Sequence, residues 1–241
     1  MAELHLVLDR ARGQVLLEGP EYVPAALLAD VEALLGPPRK IACAAPPTLL
    51  PPPAASPNGG AGEPLLRVAG YYHNSLIEGP GRRSTAKLQG CPIRCAGCVT
   101  PDSWDPRGGA LSPVEALADA LLDPTHRRDG VSVVGGEPFA QAEGLLALVR
   151  TLRRRGCPHV LVYSGYTHER LRRMAAARPA VDSLLGEIDV LIDGPFVAAL
   201  AGEAGPWTGS ANQRVIDAAA TRRRGRVALW RPDPDSRVPR T

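Results

Sequence analysis

Val131-Ser132-Val133-Val134-Gly135-Gly136-Glu137-Pro138 reads as a short buried strand that runs into a glycine turn. Just beyond it, Leu145, Leu146, Leu148, Val149 and Leu152 fall on one helical face, and Arg153-Arg154-Arg155 followed by Gly156 supplies a helix ending. A strand followed by an amphipathic helix is the unit of a parallel sheet, and the pattern repeats outward from here. Downstream come a strand at 159–163, a helix at 167–177, a strand at 189–192, and strands near 213–217 and 226–230. Upstream, Thr85–Gln89 reads as a first strand, and Leu111-Ser112-Pro113-Val114-Glu115 as a helix start with Ser112 as N-cap and Glu115 at N3, the helix running to about Leu122. The expectation is an α/β fold, a partial (β/α) barrel of about six mostly parallel strands, with ligands at the strands' C-terminal ends.

The chain has 241 residues with 44% hydrophobic and 22% charged content, enough for one globular domain and a small appendage. Residues 4–8 and 14–17 read as a hairpin and 24–35 as a helix, a small N-terminal ββα module over 1–36. Nine prolines then fall between Pro37 and Pro64, so 37–64 reads as a linker, 65–232 as the main domain and 233–241 as a tail. The net charge of +3 does not argue for nucleic acid, and no apolar run is long enough for a membrane span. The N-terminus lacks a secretory leader, which leads to an expected cytoplasmic location with reduced thiols.

Five cysteines are present, three of them in Cys91-Pro92-Ile93-Arg94-Cys95-Ala96-Gly97-Cys98 just after the first strand. Three thiolates from one short loop can hold three irons of a cubane and leave the fourth open. A zinc site and three unremarkable buried cysteines are the other readings of the triplet. Cys43 and Cys157 stand alone, and His73, His126, His159 and His168 lack metal-ligand spacing and are expected on the surface.

Taken together, Gly90 through Cys98, Pro101, Trp104 and the later Gly135-Gly136-Glu137-Pro138 resemble the radical S-adenosylmethionine (SAM) superfamily. Gly79-Pro80-Gly81-Arg82-Arg83, Tyr163-Ser164-Gly165-Tyr166-Thr167, Asp193-Gly194-Pro195-Phe196, and Trp207 with Gly209 through Gln213 are similar, more narrowly, to the activating enzymes of anaerobic ribonucleotide reductase and pyruvate formate-lyase. The likeness spans about residues 65–220. It implies a [4Fe-4S] cluster on Cys91, Cys95 and Cys98, whose open iron chelates SAM. Reductive cleavage of SAM would then give a 5′-deoxyadenosyl radical that abstracts hydrogen from a glycine of a partner glycyl-radical enzyme. It also implies Gly97, Cys98 and Val99 beside the adenine, Gly135 and Gly136 against the methionine part, and Glu137 accepting from the SAM amino group. Tyr166 is either a cofactor or substrate contact or partly buried structure, and Trp207 and Asn212-Gln213 are equally open. Thr208 stands where the family often has arginine, and Lys87 where its first strand is usually apolar. A flavodoxin or ferredoxin is the implied electron donor. Rival readings are radical SAM chemistry on a small molecule or peptide, as in 7-carboxy-7-deazaguanine synthase, and a non-catalytic metal-binding interaction protein.

Overall fold

Alternation over residues 65–75 builds the first long strand of the main sheet. The computed structural model describes residues 5–9, 14–18, 41–43, 48–54 and 62–231, and the chain divides into two units, Met1–Thr48 with Pro239–Thr241, and Leu49–Val238. In the second unit, β4 (Leu65–Ser75) buries Leu66 and Val68 while Leu65 and Asn74 are exposed, as a strand with one face on a core must. β5 (Arg83–Leu88) follows, then β6 (Ala110–Pro113), α1 (Val114–Leu121), β7 (Gly130–Gly135), α2 (Ala142–Arg154) and β8 (Val160–Ser164). The unit ends with α3 (His168–Ala175), α4 (Pro179–Glu187), β9 (Val190–Asp193), β10 (Arg214–Asp217) and α5 (Ala218–Arg224). The first unit holds β1 (His5–Asp9) and β2 (Gln14–Glu18), paired antiparallel, and β3 (Ile41–Cys43), parallel to β2. β3 falls inside the stretch read as linker, and the helix expected over 24–35 lies outside the described residues.

The main sheet has seven strands in the order β10-β9-β8-β7-β5-β4-β6. β5, β7, β8 and β9 form its parallel centre, and β4, β6 and β10 add antiparallel to the sides. The α/β expectation holds, with seven strands where about six were expected. Along β5, Ala86 and Leu88 face the main core with Leu145, Leu148, Val149 and Leu152 of α2. The alternate residues Arg83, Thr85 and Lys87 take the other face of β5. Arg83 is almost fully buried. Its Nε donates to Ser132 Oγ (2.9 Å) and its Nη2 to the Val131 carbonyl (2.6 Å), and burial pulls it down to about 10.

Several local expectations change. Ser112 does not cap α1: it lies in β6 and its hydroxyl donates to the Pro53 carbonyl (2.9 Å), because the strand continues through Pro113 into the helix. The turn after α2 is as expected, with Gly156 at φ +81° and Cys157 N–H reaching back to the Leu152 carbonyl (2.9 Å). The strand expected at 226–230 is a single bridge from Leu229 to Ile216; α4 was not foreseen, while α5 ends in the arginine run 222–224 that reads as a helix terminus. His73 is buried, accepting or donating at Ser84 Oγ (2.9 Å) and stacked on His126 with ring centroids 4.0 Å apart. Burial, with the Arg83 guanidinium beside it (3.1 Å), takes His159 down to about 4. Neither histidine belongs to the solvated surface, since each fills the space beside a strand start. Among the described residues no helix is long and apolar enough to cross a membrane.

Candidate cluster and cofactor site

The C-terminal ends of β5 and β7 meet so closely that only backbone fits between them. A Cβ on Gly135 would lie 2.3 Å from the Leu88 carbonyl oxygen, and one on Gly136 would lie 2.3 Å from that of Gly90. Gly136 N–H donates to Leu88 (2.8 Å) and Glu137 N–H to Gly90 (2.9 Å). The resemblance assigns these glycines to a cofactor; their absence of side chains already has a use without one, which is to seat the root of the cysteine loop on β7. Gly135 also has φ +106°, a conformation that side chains resist.

From that root the loop carries Cys91, Cys95 and Cys98, all half-buried free thiols. Positive φ at Arg94 (51°) and Gly97 (74°) and the Cys98 N–H bond to the Cys95 carbonyl (3.1 Å) curl it into a tight turn. Burial pushes the Cys91 thiol up, while the backbone N–H groups of Arg94 and Ile93 pull it down. Cys98 Sγ accepts from Thr100 N–H (3.4 Å), a residue that carries no cysteine-like signal in the sequence. Val99 is 81% exposed. No three His, Cys, Asp or Glu side chains among the described residues converge on a single ion. A cubane asks for a different arrangement, one thiolate per iron corner rather than several on one ion.

Glu137 lies beneath the loop with no exposed surface. Its Oε1 accepts from Phe139 N–H (3.0 Å) and Ser164 Oγ (2.9 Å), and its Oε2 accepts from Gly165 N–H (2.8 Å). Burial pushes its carboxyl from the ordinary 4.5 up to about 7, against the pull of these donors. The carboxylate therefore clasps the end of β8 to the end of β7. Gly165 in turn abuts the cysteine loop, because a Cβ there would lie 2.6 Å from Ile93 Cδ1. Ser164 and Gly165 are partners that the sequence displays only as a strand-end turn. Tyr166 is half-buried against the main core, and burial and the Glu137 charge raise its phenol.

The remaining quoted motifs hold the surrounding frame. Asp193, almost fully buried, accepts from His168 N–H (2.6 Å) and Arg214 Nε (2.9 Å), tying β9, α3 and β10 together. Asn212 Nδ2 donates to the Pro195 carbonyl (2.8 Å) and Gln213 Nε2 to that of Gly194 (2.9 Å). Trp207, at φ +62°, receives a hydrogen bond from Tyr163 OH on its carbonyl (2.7 Å) and packs edge-on to Trp230. The arginine run at the end of α2 is paired rather than free, with Arg153 on Asp189 and Arg154 and Arg155 on Glu115.

Residues 77–216 match the family model described as a 4Fe-4S single cluster domain. Over 150 residues the chain is 34% identical to the anaerobic ribonucleoside-triphosphate reductase-activating protein of Haemophilus influenzae, a span of 59% of this chain and 92% of that protein. It is 35% identical over 95 residues to the pyruvate formate-lyase-activating enzyme of Clostridium pasteurianum, covering 38% of this chain and 40% of that one. The crystal structure of QueE from Escherichia coli aligns with 43% of this chain and 54% of its own, at a TM-score of 0.37 and 21% identity. With the family match extending over more than half of its length, and with the Haemophilus protein matched nearly end to end, this chain belongs to the 4Fe-4S single-cluster radical SAM family of activating enzymes, whose cofactors are an iron–sulfur cluster and SAM.

Proposed function

We propose that Cys91, Cys95 and Cys98 hold the [4Fe-4S] cluster and that the enzyme abstracts hydrogen from a backbone glycine of a partner glycyl-radical enzyme. The observation that carries this is the single loop of three free thiols seated at the parallel strands' C-terminal ends, where α/β sheets bind ligands. The donor set fits the group: all three thiols are free, and the Cys98 sulfur receives a backbone N–H, as cluster ligands do. When bound, the cluster and SAM supply reductive cleavage of the sulfonium and the adenosyl radical that takes the hydrogen.

The chain's own residues supply placement. Gly97, Cys98 and Val99 would line one side of the SAM site and Gly135, Gly136 and Tyr166 the other. Glu137 holds the wall between them from below, since its carboxylate is committed to Phe139, Ser164 and Gly165. The exposed rim of the loop, at Arg94 and Val99, leaves a face for an electron donor of the flavodoxin or ferredoxin class.

The test is anaerobic reconstitution with iron, sulfide, SAM, a strong reductant and a candidate glycyl-radical enzyme, followed by electron paramagnetic resonance (EPR). A glycyl radical doublet is expected with the native chain and none with Cys95→Ala, which should also lose iron and SAM cleavage. SAM cleavage without a doublet on any candidate partner would refute the substrate assignment; retained iron in Cys95→Ala would refute the ligand assignment.

A further inference from the structure

The chain has two phenylalanines, and the core uses one of them. Phe139 is fully buried in the main hydrophobic cluster, whereas Phe196 is half-buried and packs into neither hydrophobic cluster of the described residues. Its ring lies against the cysteine loop instead. A Cβ on Gly97 would stand 3.9 Å from Phe196 Cε1 and 3.1 Å from Ala198 Cβ, and one on Gly209 would stand 3.2 Å from Phe196 Cδ2. Glycine at both positions keeps other side chains off the ring. The surroundings are small, apolar and open, since Ala96, Gly97, Val99 and Ala198 are all exposed. The backbone on either side of the ring is nonetheless fastened. Asn212 Nδ2 donates to the Pro195 carbonyl (2.8 Å) and Val197 N–H to the buried Ser210 Oγ (3.1 Å), while Gln213 joins the Gly194 carbonyl (2.9 Å) to Gly209 N–H (2.7 Å). The motifs at 193–196 and 209–213 thus form a mount for one aromatic ring beside the third cysteine. A phenyl ring left outside the core forgoes the stabilisation that burial gives, and fixing it there suits a flat apolar ligand.

We propose that Phe196 packs against the adenine of SAM and positions the nucleoside half of the cofactor. The inference rests on the reading above, in which Cys91, Cys95 and Cys98 hold the cluster and SAM binds beside them. The methionine half of SAM carries an amino group, a carboxylate and the sulfonium, and these ask for polar partners or the metal. Adenine is neutral and flat, and asks for an aromatic or aliphatic face. The side chains that frame this corner, Ala96, Val99, Phe196 and Ala198, offer the latter. Phe196 is a cofactor-positioning residue in this account; it takes no part in hydrogen abstraction.

The experiment measures equilibrium binding of SAM, methionine and 5′-deoxyadenosine to the reconstituted full-length protein, with the cluster kept oxidised so that no cleavage occurs. Phe196→Ala should keep its iron and sulfide and bind methionine as the native chain does. It should bind SAM and 5′-deoxyadenosine about tenfold more weakly, the loss expected for one base–aromatic contact. Phe196→Tyr, which keeps a ring, should bind all three as the native chain does. Unchanged SAM affinity in Phe196→Ala at equal iron content overturns the proposal and leaves the cluster assignment standing. So does a loss shared equally by SAM and methionine, which would make the ring a prop for the loop. Failure of the native chain to load about four irons would instead overturn the cluster assignment. Should Phe196→Ala load poorly, fluorine NMR of the loaded native chain grown with 4-fluorophenylalanine decides. Two signals are expected, that of Phe196 being the one that Phe196→Tyr removes. It should shift on addition of SAM and not of methionine; a signal that ignores SAM, or answers both alike, overturns the proposal.

Discussion

Glu137 shows how far a residue's chemistry can be read from its neighbours in the chain. The sequence places it after two glycines and before a proline, and the family likeness offers its carboxylate to a ligand. What it cannot display is Ser164 and Gly165, some 27 residues on, which arrive only when β8 lies beside β7. Burial then raises its carboxyl to about 7. The folded protein binds this proton more tightly than the unfolded chain does, so this group's contribution is fully present below about 4.5 and is lost as pH rises through about 7. His73, His159 and His168, all lowered, slope the other way. The Glu137 part is therefore isolated by difference. Thermal midpoints of the metal-free protein between pH 5 and 7.5 should show a falling component that Glu137→Gln removes; identical pH slopes in the two proteins would count against it. The cysteine triplet, by contrast, was legible without any fold, because its members are eight residues end to end. Thr100 was not, since a donor to sulfur has no distinctive spacing.

At the scale of elements, the contact between β5 and β7 is the joint on which the site depends, and it is a contact of bare backbone. Gly135→Ala combines a disallowed φ with a Cβ driven into the Leu88 carbonyl, at a cost of about 3 kcal/mol or more. Gly156→Ala has the same kind of φ with open space around it, and should cost about 1 kcal/mol. Denaturant melts would measure both, and only the former should reduce iron loading. A pair of equal losses would show that steric collision at the joint contributes nothing. Strands and helices whose periodicity is strong, β7, α2, β8 and α3, fall where the sequence put them to within a residue or two. α4 escaped notice because it opens with Arg178-Pro179, which imitates loop, whereas α5 was legible only by its end, the arginine run 222–224. Ser112 misled because the serine, proline and glutamate of a helix start also suit a strand that feeds straight into a helix.

For the whole molecule, the division at residue 48 makes a separate claim. Every hydrogen bond described at the cysteine loop, the glycine joint and the Glu137 clasp comes from within residues 65–217. A chain beginning at Leu49 should therefore unfold cooperatively, load iron as the full-length protein does, and cleave SAM at a comparable rate. Iron loading that fell several-fold on truncation would give residues 1–48 a part in the site itself. The Haemophilus protein matches 59% of this chain, and the family model matches residues 77–216, beyond the leading residues. The cysteine loop, finally, is shallow: its thiols are half-buried and Val99 stands 81% in solvent. A wall thick enough to keep partner proteins at a distance would also keep out dissolved gases, and among the described residues there is no such wall. A cluster held on this loop as proposed would meet oxygen by the same short route as an electron donor, so the loaded protein's lifetime in air would be set by diffusion to an open rim and not by the stability of the fold beneath it.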